Sequence, residues 1–407
     1  MSQIEEKFAK LGTENAPGQE VRQSSTTDSS ELRGDSLPGV PVDFSHGDVN
    51  RSAFEATPGS LDEFIRGVKS GGEQAYTEYR GRADIRESLA THLAAFTGAP
   101  VSAATELIIT PGTQGALFLA VAATVSAGDK VAIVRPDYFA NRKLVEFMGG
   151  HIVPITLDYL GHESHSGIDL SQLEAAFKAG AKTFIFSNPN NPTGVIYSQD
   201  EIQQIATLAN RYGATVIVDQ LYSRLLYPGR VYSHLRATDI DNSNVVTIMG
   251  PSKTESLSGY RLGVAFGSAR LIDRMEKLQA IVSLRAPGYS QAVLRTWFDE
   301  HANWMQDRIA KHQAIRDDLI QVLGTSGDVI TRVPEAGSYL FPRLPKLAVT
   351  LHQFVRNLRY QASVIVTPGT EFCPDSTDSI RLNFSQNHEA AVAAVERIVE
   401  LVHRYRD

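Results

Sequence analysis

Short apolar runs alternate with helical faces along most of this chain. Residues 84–95 place Ile85, Leu89 and Leu93 at four-residue steps, which puts all three on one side of a helix. A β-branched run at 107–110 follows, then a glycine turn at 112–115 and an apolar helix from Ala116. Further runs at 130–134, 183–187, 215–219, 245–249 and 262–267 have the length and composition of buried strands. Helical segments such as 200–212 separate several of them. This alternation predicts an α/β fold, a mainly parallel, doubly wound sheet covered by helices on both faces.

Beyond about residue 290 the rhythm changes. A long helical stretch at 291–323, short strands near Val329, Ser338, Val364 and Ile380, and a closing helix at 388–404 outline a smaller α+β unit. The other end also stands apart, because residues 23–36 are rich in Ser, Thr and Asp and poor in apolar side chains. Such an arm either stays disordered or orders over a neighbouring subunit or an active site. The expected division is residues 1–40 as the arm, 41–75 as a linker and the N-terminal part of the small domain, 76–290 as the large domain and 291–407 as the small C-terminal domain.

Composition narrows the classes. With 407 residues and 42% hydrophobic content, the chain can bury two or three packed units. A net charge of -7, without blocks of like sign, gives no footprint for nucleic acid. The polar first ten residues lack the apolar core of a secretory signal, and the longest apolar run, 116–125, is about half of a membrane span. The single cysteine, Cys373, cannot close an internal disulfide, which suits a reducing compartment. A cytoplasmic protein without nucleic-acid or membrane partners is the expectation.

In an open α/β sheet, ligands sit at the carboxyl ends of strands. Four turns there carry candidate chemistry. Lys253 follows the strand at 245–249; an amine at such an exit forms an imine when it is deprotonated. Eight residues on, Arg261 offers a planar fork for a phosphate. The turn Ser187-Asn-Pro-Asn-Asn191-Pro-Thr-Gly194 leaves Asn191 free to donate into a site. Asp219 ends an apolar strand, where a carboxylate is costly unless it is paired. A protonated pyridine nitrogen would pair it, and Tyr222 would then reach a phenolic oxygen. Finally, Gly112, Thr113 and Gln114 lie between a strand and a helix, where backbone N–H groups make an anion site. These are the needs of a phosphorylated pyridine aldehyde.

With these turns in this order, the chain resembles the class I/II aminotransferases of pyridoxal 5'-phosphate (PLP) fold type I, from about Phe44 to the end. The resemblance rests on Asn-Pro-Thr-Gly, then Asp219-x-x-Tyr222, then Ser252-Lys253 with Arg261 eight residues later, then Ile380-Arg381. It implies that residues 76–290 form the PLP-binding domain and that Lys253 carries the cofactor as a Schiff base and moves the substrate's proton. It implies that Asp219 pairs with the pyridine nitrogen, that Asn191 and Tyr222 bond the phenolic oxygen, and that Gly112, Thr113, Gln114, Ser252 and Arg261 serve the phosphate end. Tyr138 sits where the family stacks a ring on the cofactor, although a core tyrosine is the plainer role. Arg381 matches the clamp for the substrate α-carboxylate, with a surface ion pair as the bland alternative. Tyr76 fits the tyrosine that reaches a neighbouring subunit's phosphate, which implies a homodimer with shared active sites.

Three departures from the family pattern bear on the reaction. Gly250 stands where relatives often have serine, Gln220 stands where many have glutamate, and His46 precedes the pocket glycine Gly47. Histidine there is either a proton shuttle or the cap of a turn. The leading expectation is an aminotransferase exchanging an amino group between an L-amino acid and a 2-oxo acid. A second is a PLP- and oxygen-dependent L-arginine oxidase or hydroxylase, which pairs such a histidine with an N-terminal segment; His46, Asp28 and Glu31 are its candidate parts. A β-lyase shares the early chemistry. A PLP-sensing transcription regulator would need a DNA-binding domain ahead of Phe44, and the mostly polar first forty residues carry no helix-turn-helix pattern. Arg285 is either a partner for a side-chain carboxylate across a dimer or a solvated charge.

Overall fold

The computed structural model describes residues 2–9, 11–12 and 32–407. Asp28 and Glu31 lie outside the described residues. Helix α1 (Gln3–Ala9), strand β1 (Val42–Asp43), α2 (Ser60–Gly67) and α3 (Ala83–Thr97) precede the main sheet. The sheet and its covering helices follow in chain order: β2 (Leu107–Pro111), α4 (Gly112–Thr124), β3 (Lys130–Arg135), α5 (Phe139–Phe147), β4 (His151–Thr156), α6 (Leu170–Lys178), β5 (Thr183–Ser187), α7 (Gln199–Tyr212), β6 (Thr215–Asp219), β7 (Val245–Met249), β8 (Leu262–Gly267) and α8 (Ala269–Val282). The remainder comprises α9 (Gly288–Gln291), α10 (Ala302–Gly324), β9 (Tyr339–Leu340), α11 (Leu351–Ala362), β10 (Val364–Ile365), β11 (Thr367–Pro368), β12 (Ile380–Asn383) and α12 (His388–Tyr405).

The main sheet has the order β2-β8-β7-β6-β5-β3-β4. All its pairs are parallel except those of β8, which is antiparallel to both β2 and β7. Two reversals cancel, so β2 points the same way as β7. Because side chains alternate, Val131, Ile133, Ile185, Ile217 and Ile248 pack under α4, α5 and α8. Ala132, Val134, Phe184, Phe186, Val216 and Val218 pack under α6 and α7. Both faces are dry, which is why these strands read as continuous apolar runs. A separate cluster around Phe44, Phe54, Leu319, Phe354, Leu382 and Ile398 forms the core of the C-terminal layer.

Two sequence expectations need correction. The helical stretch at 291–323 is broken: α9 ends at Gln291, a 3-10 turn spans Ala292–Thr296, and α10 begins only at Ala302. Phe298 at φ 74 interrupts the path, and Glu300 leaves the helical line to bind Arg224. Strand β4 was not anticipated because Pro154 interrupts its short Ile152-Val153 run, which an edge strand with His151, Pro154 and Thr156 exposed tolerates. Near Val329 there is only an isolated bridge between Ile330 and Arg343.

The contact of β8 with the first residues of α4 is tight enough to test. A Cβ on Gly263 would lie 2.4 Å from the backbone N of Thr113 and 2.5 Å from the carbonyl carbon of Gly112. Neither can swing aside as a side-chain tip would. Gly263→Ala is therefore expected to cost about 2–3 kcal/mol of stability, read by denaturant unfolding against the parent chain.

Candidate active site

The sheet topology gathers the site. The carboxyl ends of β2, β3, β5, β6 and β7 lie at one edge, and the reversed β8 brings its first residues to that same edge. The register pairs Pro111 with Leu262, so the turns at Gly112 and Arg261 are neighbours. The chain moves outward from β3 to β4 and then back across to β5, which makes this edge the topological switch point where ligands bind. A cleft opens there, lined by Thr113, Gln114, Leu117, Tyr138, Ser187, Pro189, Asn191, Asp219, Leu221, Tyr222, Lys253 and Tyr339.

Asp219 is the last residue of β6, and its Oδ1 accepts from the backbone N–H of Leu221 at 3.0 Å. Burial pushes its carboxyl up to about 6, and that one hydrogen bond offsets only part of the rise. Among the described ion pairs none involves Asp219, so the carboxylate has desolvation without a counter-charge. Lys253 sits on the turn after β7, with its amine 3.9 Å from Asp48 Oδ1. A Cβ on Gly47 would lie 2.8 Å from the Lys253 nitrogen, so the 46–48 turn closes directly over the amine.

At the far wall Asn191, Tyr222 and Tyr339 line the cleft, and Arg381 lies directly behind them. Arg381, 1% exposed on β12, donates from Nη1 to Asn191 Oδ1 at 3.0 Å and from Nη2 to the Ser45 carbonyl at 2.8 Å. Its Nε is buried without a partner, and its guanidinium lies 4.2 Å above the Tyr339 ring. The hydroxyls of Tyr222 and Tyr339 are 2.7 Å apart. Burial holds the Tyr222 phenol well above its ordinary range, so it stays protonated.

At the opposite end, Gly112 adopts φ +76, and a Cβ there would lie 2.6 Å from Arg261 Nη2. Only glycine both takes that conformation and leaves room for the guanidinium. Arg261 donates from Nη1 to the Ser258 carbonyl, which fixes its fork beside the N-terminus of α4. Tyr138 donates to Gln114 Oε1 at 3.0 Å, across the mouth of the cleft. The glycine at 250 has a steric reason. A Cβ there would lie 2.7 Å from Thr113 Cγ2, so threonine at 113 fills the space a serine at 250 would need. Ser252 is buried beside Lys253 but is not among the residues lining the cleft.

The model of the family described as aminotransferase class I and II matches residues 43–398. This chain belongs to that family. It is an aminotransferase, which exchanges an amino group between an L-amino acid and a 2-oxo acid, in a family that works with pyridoxal 5'-phosphate. Its fold matches a crystal structure of an aspartate aminotransferase from Rhodobacter sphaeroides 2.4.1 with a TM-score of 0.95, at 66% identity over 100% of both chains. It is also 28% identical to an aspartate aminotransferase of Sulfolobus acidocaldarius over 341 residues, 82% of this chain and 84% of that one. A putative aminotransferase of Bacillus subtilis, YugH, is 27% identical over 82% of this chain and 86% of its own length.

Not every anticipated residue of the aminotransferase meets in the cleft. The His46 ring turns to Asp43, with Nε2 3.3 Å from Oδ2, while Asp43 also accepts from the backbone N and hydroxyl of Ser45. Asp43 thus caps this turn, and the His46 ring pairs with the capping carboxylate. Tyr76 is 80% exposed and lies under Arg285, which also covers Tyr79. Neither Tyr76 nor Arg285 lines the Lys253 cleft of this chain.

Sequence reasoning missed Tyr339, Asp137 and the buried ions behind Lys253. Asp137 takes hydrogen bonds from both the backbone N–H and the hydroxyl of Ser187, and burial raises its carboxyl to about 7. It ties the β3 turn to the β5 turn. Behind Lys253, Arg224 bridges Glu255 and Glu300, and Arg308 on α10 donates to the Lys253 carbonyl at 3.4 Å. Asp137, next to Tyr138 and two residues past β3, was legible as a polar residue at a strand exit; Tyr339 carried no such signal.

Proposed function

We propose that this aminotransferase binds pyridoxal 5'-phosphate in the Lys253 cleft and takes the α-carboxylate of its amino acid substrate on Arg381. The observation that carries this is a buried carboxylate, Asp219, that makes no ion pair among the described residues and shares one cleft with an amine, Lys253, whose ion-pair partner Asp48 is 3.9 Å away. The residues fit the cofactor. Asp219 supplies the missing partner for a protonated ring nitrogen, the Gly112–Arg261 cradle admits a phosphate and no Cβ, and the orphaned Nε of Arg381 awaits an acceptor. When bound, the cofactor supplies an electron sink that stabilises negative charge at the substrate Cα.

The side chains divide the remaining work. Lys253 Nζ is the covalent attachment point and moves the proton at the substrate Cα. Tyr222 and Asn191 face the phenolic oxygen, and Tyr138 stacks on the ring. Gly112, Thr113, Gln114, Ser252 and Arg261 hold the phosphate with backbone and side-chain donors. Asn191 also orients Arg381 through the 3.0 Å hydrogen bond. In this reading residues 76–290 are the PLP-binding domain, 41–75 and 291–407 form the small domain, and 1–40 are an arm. Exposed Tyr76 suits a homodimer in which it reaches the partner's phosphate, and the free, buried Cys373 suits the cytoplasm.

Aspartate is the first donor to test, since relatives at 66% and 28% identity are named for it. The loaded protein would be mixed, without oxo acid, with aspartate, arginine, alanine or tyrosine in separate samples, with and without air. One equivalent of the matching 2-oxo acid per site, formed without oxygen, is the expected result. Oxygen uptake with arginine alone, and no anaerobic product with any donor, would overturn the proposal. It would instead make His46, Asp28 and Glu31 parts of an oxidase.

Arg381→Lys keeps the charge but loses the fork. It is expected to lower kcat/KM for the amino acid on the order of 100-fold, mostly through KM, because the planar two-point grip is gone. Initial rates over a range of donor concentration would check this.

A further inference from the structure

We infer that Tyr339 is a positioning residue for the transamination reaction: its hydroxyl aims the Tyr222 O–H into the cleft, while its ring props Arg381. The inference rests on the cofactor reading above. It assigns to Tyr339 a role that no sequence motif marked.

The geometry begins with a register. Strand β9 pairs antiparallel with β12, setting Tyr339 opposite Asn383 and Leu340 opposite Leu382. Tyr339 is thereby anchored on the same short sheet that carries Arg381. Its ring meets that of Tyr222 edge-on, with centroids 5.3 Å apart at 74°, and the guanidinium of Arg381 stacks on it at 4.2 Å. Its hydroxyl lies 3.1 Å from where a Cβ on Gly47 would stand, so it also abuts the turn that closes over Lys253. One residue thus touches the phenol, the carboxylate clamp and the lid of the amine.

The hydroxyl pair allows a proton count. Each phenol has one hydrogen, and at 2.7 Å one of the two is spent between them. Among the described residues no other hydrogen bond reaches either oxygen, so the second proton remains for a bound group. In the cofactor-free chain Tyr222 donates to Tyr339; an acceptor entering the cleft takes the Tyr222 proton, Tyr339 then donates to the Tyr222 oxygen, and the donor strength of Tyr222 rises by polarisation. Burial keeps Tyr222 protonated, so the direction of that proton is the variable left to set. With the cofactor bound, a Tyr222 proton aimed at its phenolic oxygen would stabilise negative charge there and lower the midpoint of the cofactor's titration, and weakening that aim would raise the midpoint.

The test uses the holoenzyme and the pH titration of the bound cofactor's visible absorbance, with steady-state rates measured in parallel. Tyr339→Phe keeps the ring under Arg381 and removes only the hydroxyl. Its titration midpoint is expected to move up by roughly half a unit to one unit, the size of one lost hydrogen bond. The donor KM should stay within about twofold, since the cation–π contact survives. Tyr339→Leu should show the same titration shift and, with the ring gone, a KM higher by about tenfold. In a Tyr222→Phe background, Tyr339→Phe should move the midpoint no further, because the proton it directs is absent. An unchanged midpoint in Tyr339→Phe, or an equal further shift in the Tyr222→Phe background, would overturn the inference. A parent protein without any pH-dependent cofactor band would overturn the cofactor reading itself, and this inference with it.

Discussion

Replacing Lys253 by alanine is expected to abolish turnover, lowering kcat by at least about 10^4-fold. The amine is the one basic group among the residues lining the cleft, and its ion-pair partner Asp48 is exposed and 3.9 Å away, too far for a hydrogen bond. The variant should fold. The Lys253 backbone is held independently of its side chain, its carbonyl accepting from Ser256 N at 3.2 Å and from Arg308 Nη2 at 3.4 Å. Below it, Glu255 is locked by Arg224 and by the Trp297 indole N–H at 3.2 Å. Added methylamine should restore part of the rate, because a free amine can enter the space and take over the proton transfer. The measurement is single-turnover formation of the oxo acid. Activity within tenfold of the parent would remove Lys253 from the chemistry.

Asp219→Asn has the second largest expected effect, on the order of 10^2–10^3 in kcat, with the fold intact. The amide keeps the size of the carboxyl and can still accept from Leu221 N–H. What it loses is the negative charge that would hold a proton on the cofactor's ring nitrogen. The same charge has the opposite effect on the cofactor-free protein. Its folded pKa, about 6, lies above the unfolded value near 3.9. Between those two values the folded chain binds more protons than the unfolded chain, so stability falls as pH rises through that window. Asp219→Asn removes this loss and is expected to stabilise the cofactor-free protein at pH 7 by about 2 kcal/mol, with little change at pH 4. Denaturant unfolding of both proteins at the two pH values is the check, and the difference isolates Asp219 from Asp137 and Glu255, which also carry raised values. Loading the cofactor should reverse the sign, since the carboxylate then has its partner.

The sequence by itself determined the α/β class, the positions of six of the seven strands of the main sheet and the turns that bear Lys253, Asp219, Asn191 and Gly112. The physical reason is local. Strands buried on both faces must be apolar throughout, and the turns that follow them hold the polar residues, so both are written in consecutive positions. The edge strand β4 escaped that rule because its side chains meet solvent, and the break before α10 escaped it because Glu300 is drawn off by Arg224, 76 residues away in the chain.

Tertiary structure alone decided which candidates share a cleft. His46 is next in sequence to Gly47 at the Lys253 amine, yet its ring turns away to Asp43. Tyr339 looked like any strand tyrosine, and it acquires meaning only where β9 lies against β12 and its hydroxyl meets that of Tyr222, 117 residues distant. Arg261 reaches the Gly112 turn because β8 runs against its neighbours. Contacts of that range depend on how layers pack and on strand direction, neither of which has a period or a spacing along the chain.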